Sequence, residues 1–236
     1  MDEFEFSVIN WAAWAPGRHS QGDWLAWCQD GVLAETQAPD VGFVPAGTRR
    51  RLSRLARMLL SCAQQLLADN ASLPLVFSSR HGELDRTRGL LASLAHDEPL
   101  SPTAFSLSVH NAAAGLFSIL RQDMAPANVV VAGEDSLLLG LVDAVARLHS
   151  GDDELLLVHG DAAVPEPYDQ FMTVDQLDHA LALRLGRSGG RPVRLKALAR
   201  PAGASEPLAL QLARLLATGE DGVIGVGERS WEWRWC

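Results

Sequence analysis

The chain has 236 residues, 47% hydrophobic and 21% charged, with a formal net charge of −9. That length suits one large domain or two small ones at roughly 150 residues each, and the acidic balance excludes a general nucleic-acid binder, which needs a basic footprint. No apolar run approaches the ~20 residues of a membrane span, and the acidic start Met1-Asp2-Glu3-Phe4-Glu5 is unlike a signal peptide, so the expected location is cytoplasmic.

Phe4 to Val8 alternates as a strand does, Ala12 to Pro16 reads as loop, and Gln21 to Trp27 reads as a short helix. Residues 48–69 carry the clearest helical pattern: Leu52, Leu55, Leu59, Cys62 or Ala63, and Leu66 recur at helical spacing. Thr48 is the expected N-cap and Asp69-Asn70 the expected end. Arg49, Arg50, Arg51, Arg54 and Arg57 crowd the first half, where each cation opposes the macrodipole by roughly 0.3 kcal/mol. Such a cluster is either a solvated face with acidic neighbours or a docking patch for a carrier protein or partner.

Leu73 to Ser78 reads as a strand and Thr87 to Ala95 as a helix. Val109 to Leu120 reads as a helix whose small residues, Ala112 to Gly115, admit close approach of another backbone. Asn128 to Ala132 is a strand bounded by Pro126 and Gly133, and Ser136 to Leu148 a helix. Glu154 to His159 is a continuous apolar strand, as expected where both sheet faces are covered. Residues 160–175 read as an irregular connection. His179 to Leu185, Val193 to Ala199 and Trp231 to Trp235 read as strands, Arg187 to Arg191 as a turn, and Pro207 to Ala217 as a helix. The alternation predicts an α/β fold with helices layered around a mixed, largely parallel sheet, in a single domain over residues 1–236.

All 7 tryptophans lie within residues 1–27 or 231–235, so the two chain ends are expected to meet through an aromatic set. Cys28, Cys62 and Cys236 have no paired spacing, and Cys62 falls on a helix's apolar side as a core thiol. His19, His81, His96, His149, His159 and His179 lack ligand spacing, so no metal is assigned and no cofactor expected. Gly222, Gly225 and Gly227 precede a strand rather than a helix, which argues against a nucleotide cradle. Ser136 lies in no Gly-x-Ser-x-Gly elbow.

Several segments recur in a telling order. Arg49-Arg50-Arg51-Leu52-Ser53-Arg54 opens a helix, and a strand ends at Ser78-Ser79-Arg80-His81-Gly82-Glu83. Ser101-Pro102 precedes the Asn111/Gly115 helix, Ala125-Pro126 precedes the strand to Gly133, and Leu155-Leu156-Leu157-Val158-His159-Gly160-Asp161 follows. Over residues 45–170 this resembles the N-terminal half of a β-ketoacyl synthase of thiolase fold. It is most similar to the short β-ketoacyl synthase-like N-terminal domain proteins often described as chain length factors, from operons for aryl polyenes and related fatty-acid-like products.

Two departures shape what the resemblance implies. Matching Ala125-Pro126 to the family's Gly-Pro places Glu134 where active synthases carry the nucleophilic cysteine, and no His-Gly-Thr-Gly-Thr motif is present. Covalent acyl transfer needs an activated nucleophile and a stabilised oxyanion. The resemblance therefore implies no catalytic residue in this chain and a role as partner of an active ketosynthase, meeting the acyl carrier protein through the complex, with a homodimer possible when alone. His110, Asn111, Gly115, Glu134, Asp135 and Ser136 are the implied interface or tunnel residues, with Val129 to Ala132 and the Val109 to Leu120 helix near the contact. Glu134-Asp135-Ser136 also reads simply as a helix cap. Two other readings stay open: a stand-alone decarboxylase of malonyl groups on a carrier protein, working through Glu134 or His110, and a homodimeric acyl-chain-binding scaffold.

Overall fold

The computed structural model describes residues 3–68, 71–172, 177–199 and 206–236. In chain order its elements are β1 (Glu3–Trp14), α1 (Gln21–Asp30), α2 (Ala46–Arg49), α3 (Arg54–Gln65), β2 (Leu75–Ser78), α4 (Leu84–Ala95), α5 (Pro102–Ser106), α6 (Ala112–Arg121), β3 (Ala127–Val130), α7 (Ser136–Ser150), β4 (Glu154–Asp161), β5 (His179–Gly186), β6 (Arg191–Leu198), α8 (Leu208–Thr218), β7 (Gly222–Val226) and β8 (Arg229–Trp235). A single sheet of 8 strands runs in the order β3-β2-β4-β5-β1-β6-β8-β7.

The sheet is mixed, but it is not largely parallel. Only β2 with β3 and β2 with β4 pair in parallel; the remaining pairings are antiparallel. The reason lies in the connections. Between β2 and β4 the chain crosses over through helices, which parallel pairing requires. Beyond β4, a tight hairpin link at residues 227–228 joins β7 to β8 and pairs them antiparallel, while β5 and β6, joined by residues 187–190, each run antiparallel to β1 on either side of it.

Two cores sandwich the sheet. Along β4, Leu155 and Leu157 face one core with Leu137, Leu141 and Val145 of α7 and Leu212 of α8. Leu156 and Val158 face the other, with Leu59 and Cys62 of α3 and Phe117 of α6. This is the period-2 alternation of a strand buried on both sides. β1 breaks the rule informatively. Phe6 and Val8 share a core with Ala13 and Ala15, even positions with odd ones. The parity changes because Ile9 is the extra residue of a bulge between Val8 and Asn10.

The expected helix over 48–69 is two pieces. α2 ends at Arg49, and α3 restarts behind Ser53, whose hydroxyl accepts from the Ala56 amide at 2.9 Å and donates to Glu83 at 2.7 Å. Ser53, not Thr48, is the cap, and the expected end at Asp69-Asn70 lies outside the described residues. The apolar stripe Leu52, Leu55, Leu59, Cys62 and Leu66 is buried as its spacing predicts. β1 continues to Trp14, past the expected strand end at Val8. The glycine pattern at Gly222 to Gly227 contributes β7, a strand hydrogen-bonded to β8.

The chain ends do meet, though through β6. β1 and β8 flank that strand, and Phe4 stacks on Trp231 at 6.0 Å while Phe6 meets Trp233 edge-on at 5.8 Å. Trp24 and Trp233 belong to the same core, whereas Trp14 faces the opposite one. The Arg18 guanidinium sits over Trp24 and Trp27 at 5.0 and 4.4 Å, a favourable placement for a largely desolvated cation. Burial lowers its pKa.

Candidate functional site

β2, β3 and β4 point their carboxyl ends the same way, where open α/β sheets form their ligand crevices. Three segments converge there: Ser79 to Gly82 after β2, Gly133 to Ser136 after β3, and the end of β4 at Asp161. Arg80, His81, Gly133, Glu134, His159, Asp161, Leu177 and His179 line a pocket of about 50 Å³ at this convergence.

Asp161 holds the loop after β2. Its Oδ1 accepts from the Ser79 hydroxyl at 2.7 Å and the His81 amide at 3.0 Å, and its Oδ2 accepts from the Arg80 amide at 3.2 Å. Burial works against charge on this carboxyl, but His159, His179 and these donors outweigh it and hold its pKa below the usual carboxylate range. His159 is buried two residues away on the same face, with Nδ1 3.0 Å from Ser78 Oγ. Burial, partly opposed by Asp161, pushes its pKa down to about 4, so the imidazole is neutral near pH 7. Burial also lowers the pKa of His81.

The antiparallel register of β4 and β5 places His179 directly opposite Asp161. His179 Nδ1 lies 2.7 Å from the Leu177 carbonyl, which fixes that nitrogen as the donor. One ligand-competent atom from each of His159, Asp161 and His179 lies within 4.8 Å of the other two. The sequence reading missed this cluster because linear spacing carries no information about which residues face each other across a ladder. The signal was the pair His159-x-Asp161 at the end of an apolar strand, with His179 at the start of the next.

The six implied interface residues divide. Glu134 is half-buried in the pocket wall, its carboxylate 3.3 Å from the Arg80 guanidinium. Asp135 pairs with Arg229 instead of capping α7, and no side-chain cap bond forms there. Ser136 makes the local turn, accepting from the Ala132 amide at 3.0 Å and donating to the Gly133 carbonyl at 2.7 Å. The cap reading therefore fails: no side-chain cap bond forms at the start of α7, the Ser136 hydroxyl closes the preceding turn, and the two carboxylates pair with arginines. His110 is exposed and lies against Gly82, beside His81. Asn111 and Gly115 are exposed, while Ala112 to Ala114 are buried. Nothing lies within 4 Å of where a Cβ on Gly115 would stand, so no contact within the chain requires glycine there.

The five arginines also divide. Arg54 pairs with Asp178, and Arg57 bonds the Arg49 carbonyl at 2.6 Å. Arg50 and Arg51 are exposed.

The family model described as "Beta-ketoacyl synthase, N-terminal domain" matches residues 24–235. The chain belongs to this β-ketoacyl synthase family. Comparison with curated proteins returned no match. Among solved structures, a chain of the "Ketosynthase (ApeO) in Complex with its Chain Length Factor (ApeC) from Xenorhabdus doucetiae" is similar with a TM-score of 0.87 and 29% identity, over 97% of this chain and 98% of that one. A chain of the ishigamide ketosynthase/chain length factor follows at 0.71 and 14% identity, over 98% of both. A ketosynthase from module 1 of the bacillaene synthase from Bacillus amyloliquefaciens matches at 0.60 and 16%, over 86% of this chain and 47% of its own. The two lower-identity likenesses show the fold alone: a thiolase-like, ketosynthase/chain length factor-like architecture. Among the described residues no helix is long and apolar enough to cross a membrane.

Proposed function

We propose that the chain is a non-catalytic, chain length factor-like subunit that pairs with a separate, active ketosynthase in aryl polyene or related fatty-acid-like biosynthesis. The observation that carries this reading is Glu134. We read it as standing at the position of the family's nucleophile, and its carboxylate is engaged by Arg80. A carboxylate so placed is a poor acceptor of a thioester's acyl group, since no thiolate is available to attack. The likeness to the ApeO/ApeC structure over nearly the full length of both chains supports the same reading.

The partner meets the β3 side of the sheet. β3 is an edge strand with exposed residues, and bare edges invite pairing with another chain. Just before and after it, Met124 and Val131 are 94% and 49% exposed, and on and before the preceding helix α6, Ile119 and Val109 are 74% and 48% exposed, apolar surface that a partner would cover. Arg50 and Arg51 supply the local positive charge for an acidic carrier protein, since Arg54 and Arg57 are engaged within the chain. Co-expression with a ketosynthase that retains its cysteine and both histidines tests the proposal. The two should co-elute as one complex at micromolar concentration. Separate elution, or acyl condensation by this chain alone, overturns it.

A further inference from the structure

The buried cluster at the carboxyl end of β4 has the chemistry of a metal site. Asp161 and His179 face each other across the ladder, and His159 lies on the same face of β4 as Asp161. His159 Nε2 stands 3.7 Å from Asp161 Oδ2. That is beyond a hydrogen bond and close to the ~3.4 Å that separates two ligands on one tetrahedral ion with bonds of about 2.1 Å. All three residues are buried, at 5%, 9% and 4% exposure.

Each candidate ligand is also oriented from behind. His179 Nδ1 donates to the Leu177 carbonyl, leaving the Nε2 lone pair. His159 Nδ1 engages Ser78 Oγ, leaving Nε2 on the side of Asp161. Asp161 is fixed by a hydroxyl and two amides. Such outer partners set the tautomer and angle of metal-binding side chains.

The series Ser78–His159–Asp161 also has the order of a nucleophile, base and orienting acid, but a nucleophile must reach a substrate. Ser78 is 1% exposed and lies under Gly140, where even a Cβ would stand 3.1 Å from its hydroxyl. Ser78 is therefore placed to orient His159 and not to attack.

We propose that His159, Asp161 and His179 bind one divalent transition-metal ion of the zinc class, with a coordination position open to the pocket shared by Glu134 and Arg80. Two imidazoles and one carboxylate select zinc-like ions over magnesium or calcium, which demand oxygen. One carboxylate leaves the site a single net positive charge, and the nearby Arg80 guanidinium is matched by Glu134.

The test uses the full chain, or its complex with a ketosynthase, stripped with a chelator and dialysed. Zinc is titrated against a chromophoric competitor, and cobalt is added separately to read the absorption bands of a tetrahedral site. The expected result is one equivalent of zinc, unaffected by millimolar magnesium. His179→Gln should weaken it about 100-fold and abolish the cobalt spectrum. Gln keeps a donor for the Leu177 carbonyl, and a circular dichroism spectrum matching the parent's verifies the fold. Asp161→Asn is a second variant with the same expected loss. Absence of stoichiometric binding by the parent, or unchanged binding in folded His179→Gln, overturns the proposal. Neither result bears on partnership with a ketosynthase.

Discussion

The Arg80 guanidinium lies 3.3 Å from the Glu134 carboxylate, so the loop after β2 clasps a carboxylate of the segment that follows β3. The pair ties two strand ends together across the mouth of the pocket. Both side chains keep partial solvent contact, at 22% and 33% exposure, which limits what the pair contributes. A double-mutant cycle on Arg80→Ala and Glu134→Ala should give a coupling of about 0.5–1 kcal/mol in urea unfolding. A coupling indistinguishable from zero would mean the contact is incidental.

The β3 side should matter for assembly and little for folding. Ile119 is 74% exposed on α6 and Val131 49% exposed just after β3. Ile119→Asp and Val131→Lys should each weaken association with the ketosynthase at least tenfold, while the melting temperature of the isolated chain moves by no more than about 2 °C. Calorimetric titration and thermal melts of the same preparations read both quantities. Undiminished association in both variants would place the interface elsewhere.

The three thiols should react in order of exposure. Cys236 is exposed, Cys28 half-buried and Cys62 buried. Burial pushes the Cys62 thiol up to about 12 and also raises that of Cys28, and only the thiolate reacts. Alkylation followed by mass spectrometry at pH 8 should label Cys236 first and Cys28 more slowly. Cys62 should be labelled only after denaturation; prompt labelling of Cys62 in the folded chain would contradict its place in the core.

Gly160 has no room for a side chain. A Cβ there would stand 2.6 Å from the His179 carbonyl oxygen and 3.0 Å from Leu59. Gly160→Ala should destabilise the chain by roughly 2–3 kcal/mol, because β4 and β5 must separate where Asp161 faces His179. Chemical denaturation measures the loss, and wild-type stability would show that the two strands yield more easily than their pairing indicates.

Much of the architecture was legible where pattern and packing coincide. The α3 stripe from Leu52 to Leu66 and the apolar run of β4 are buried as read. Direction was only partly legible: the apolar run of β5 looks alike whether parallel or antiparallel, while the alternation of β6, with Arg194 and Lys196 exposed and Val193 and Leu195 buried, is an antiparallel sign that runs against the expected largely parallel sheet. The bulge at Ile9 left no mark, and the glycines of 222–227 concealed β7, which packs Ile224 into the core. At the site, Glu134 drew notice only through the resemblance, as the residue expected where active synthases carry cysteine. The Asp161–His179 encounter was invisible because it depends on register, which residue spacing does not encode.

The place of β1 in the sheet has a consequence for biogenesis. Both of its neighbours, β5 and β6, come from residues 179–198. An emerging chain therefore holds β1 without either of its sheet neighbours until synthesis has passed residue 179. Closure of the sheet is thus a late, long-range event, which favours slow folding and exposes the early segments to misassociation.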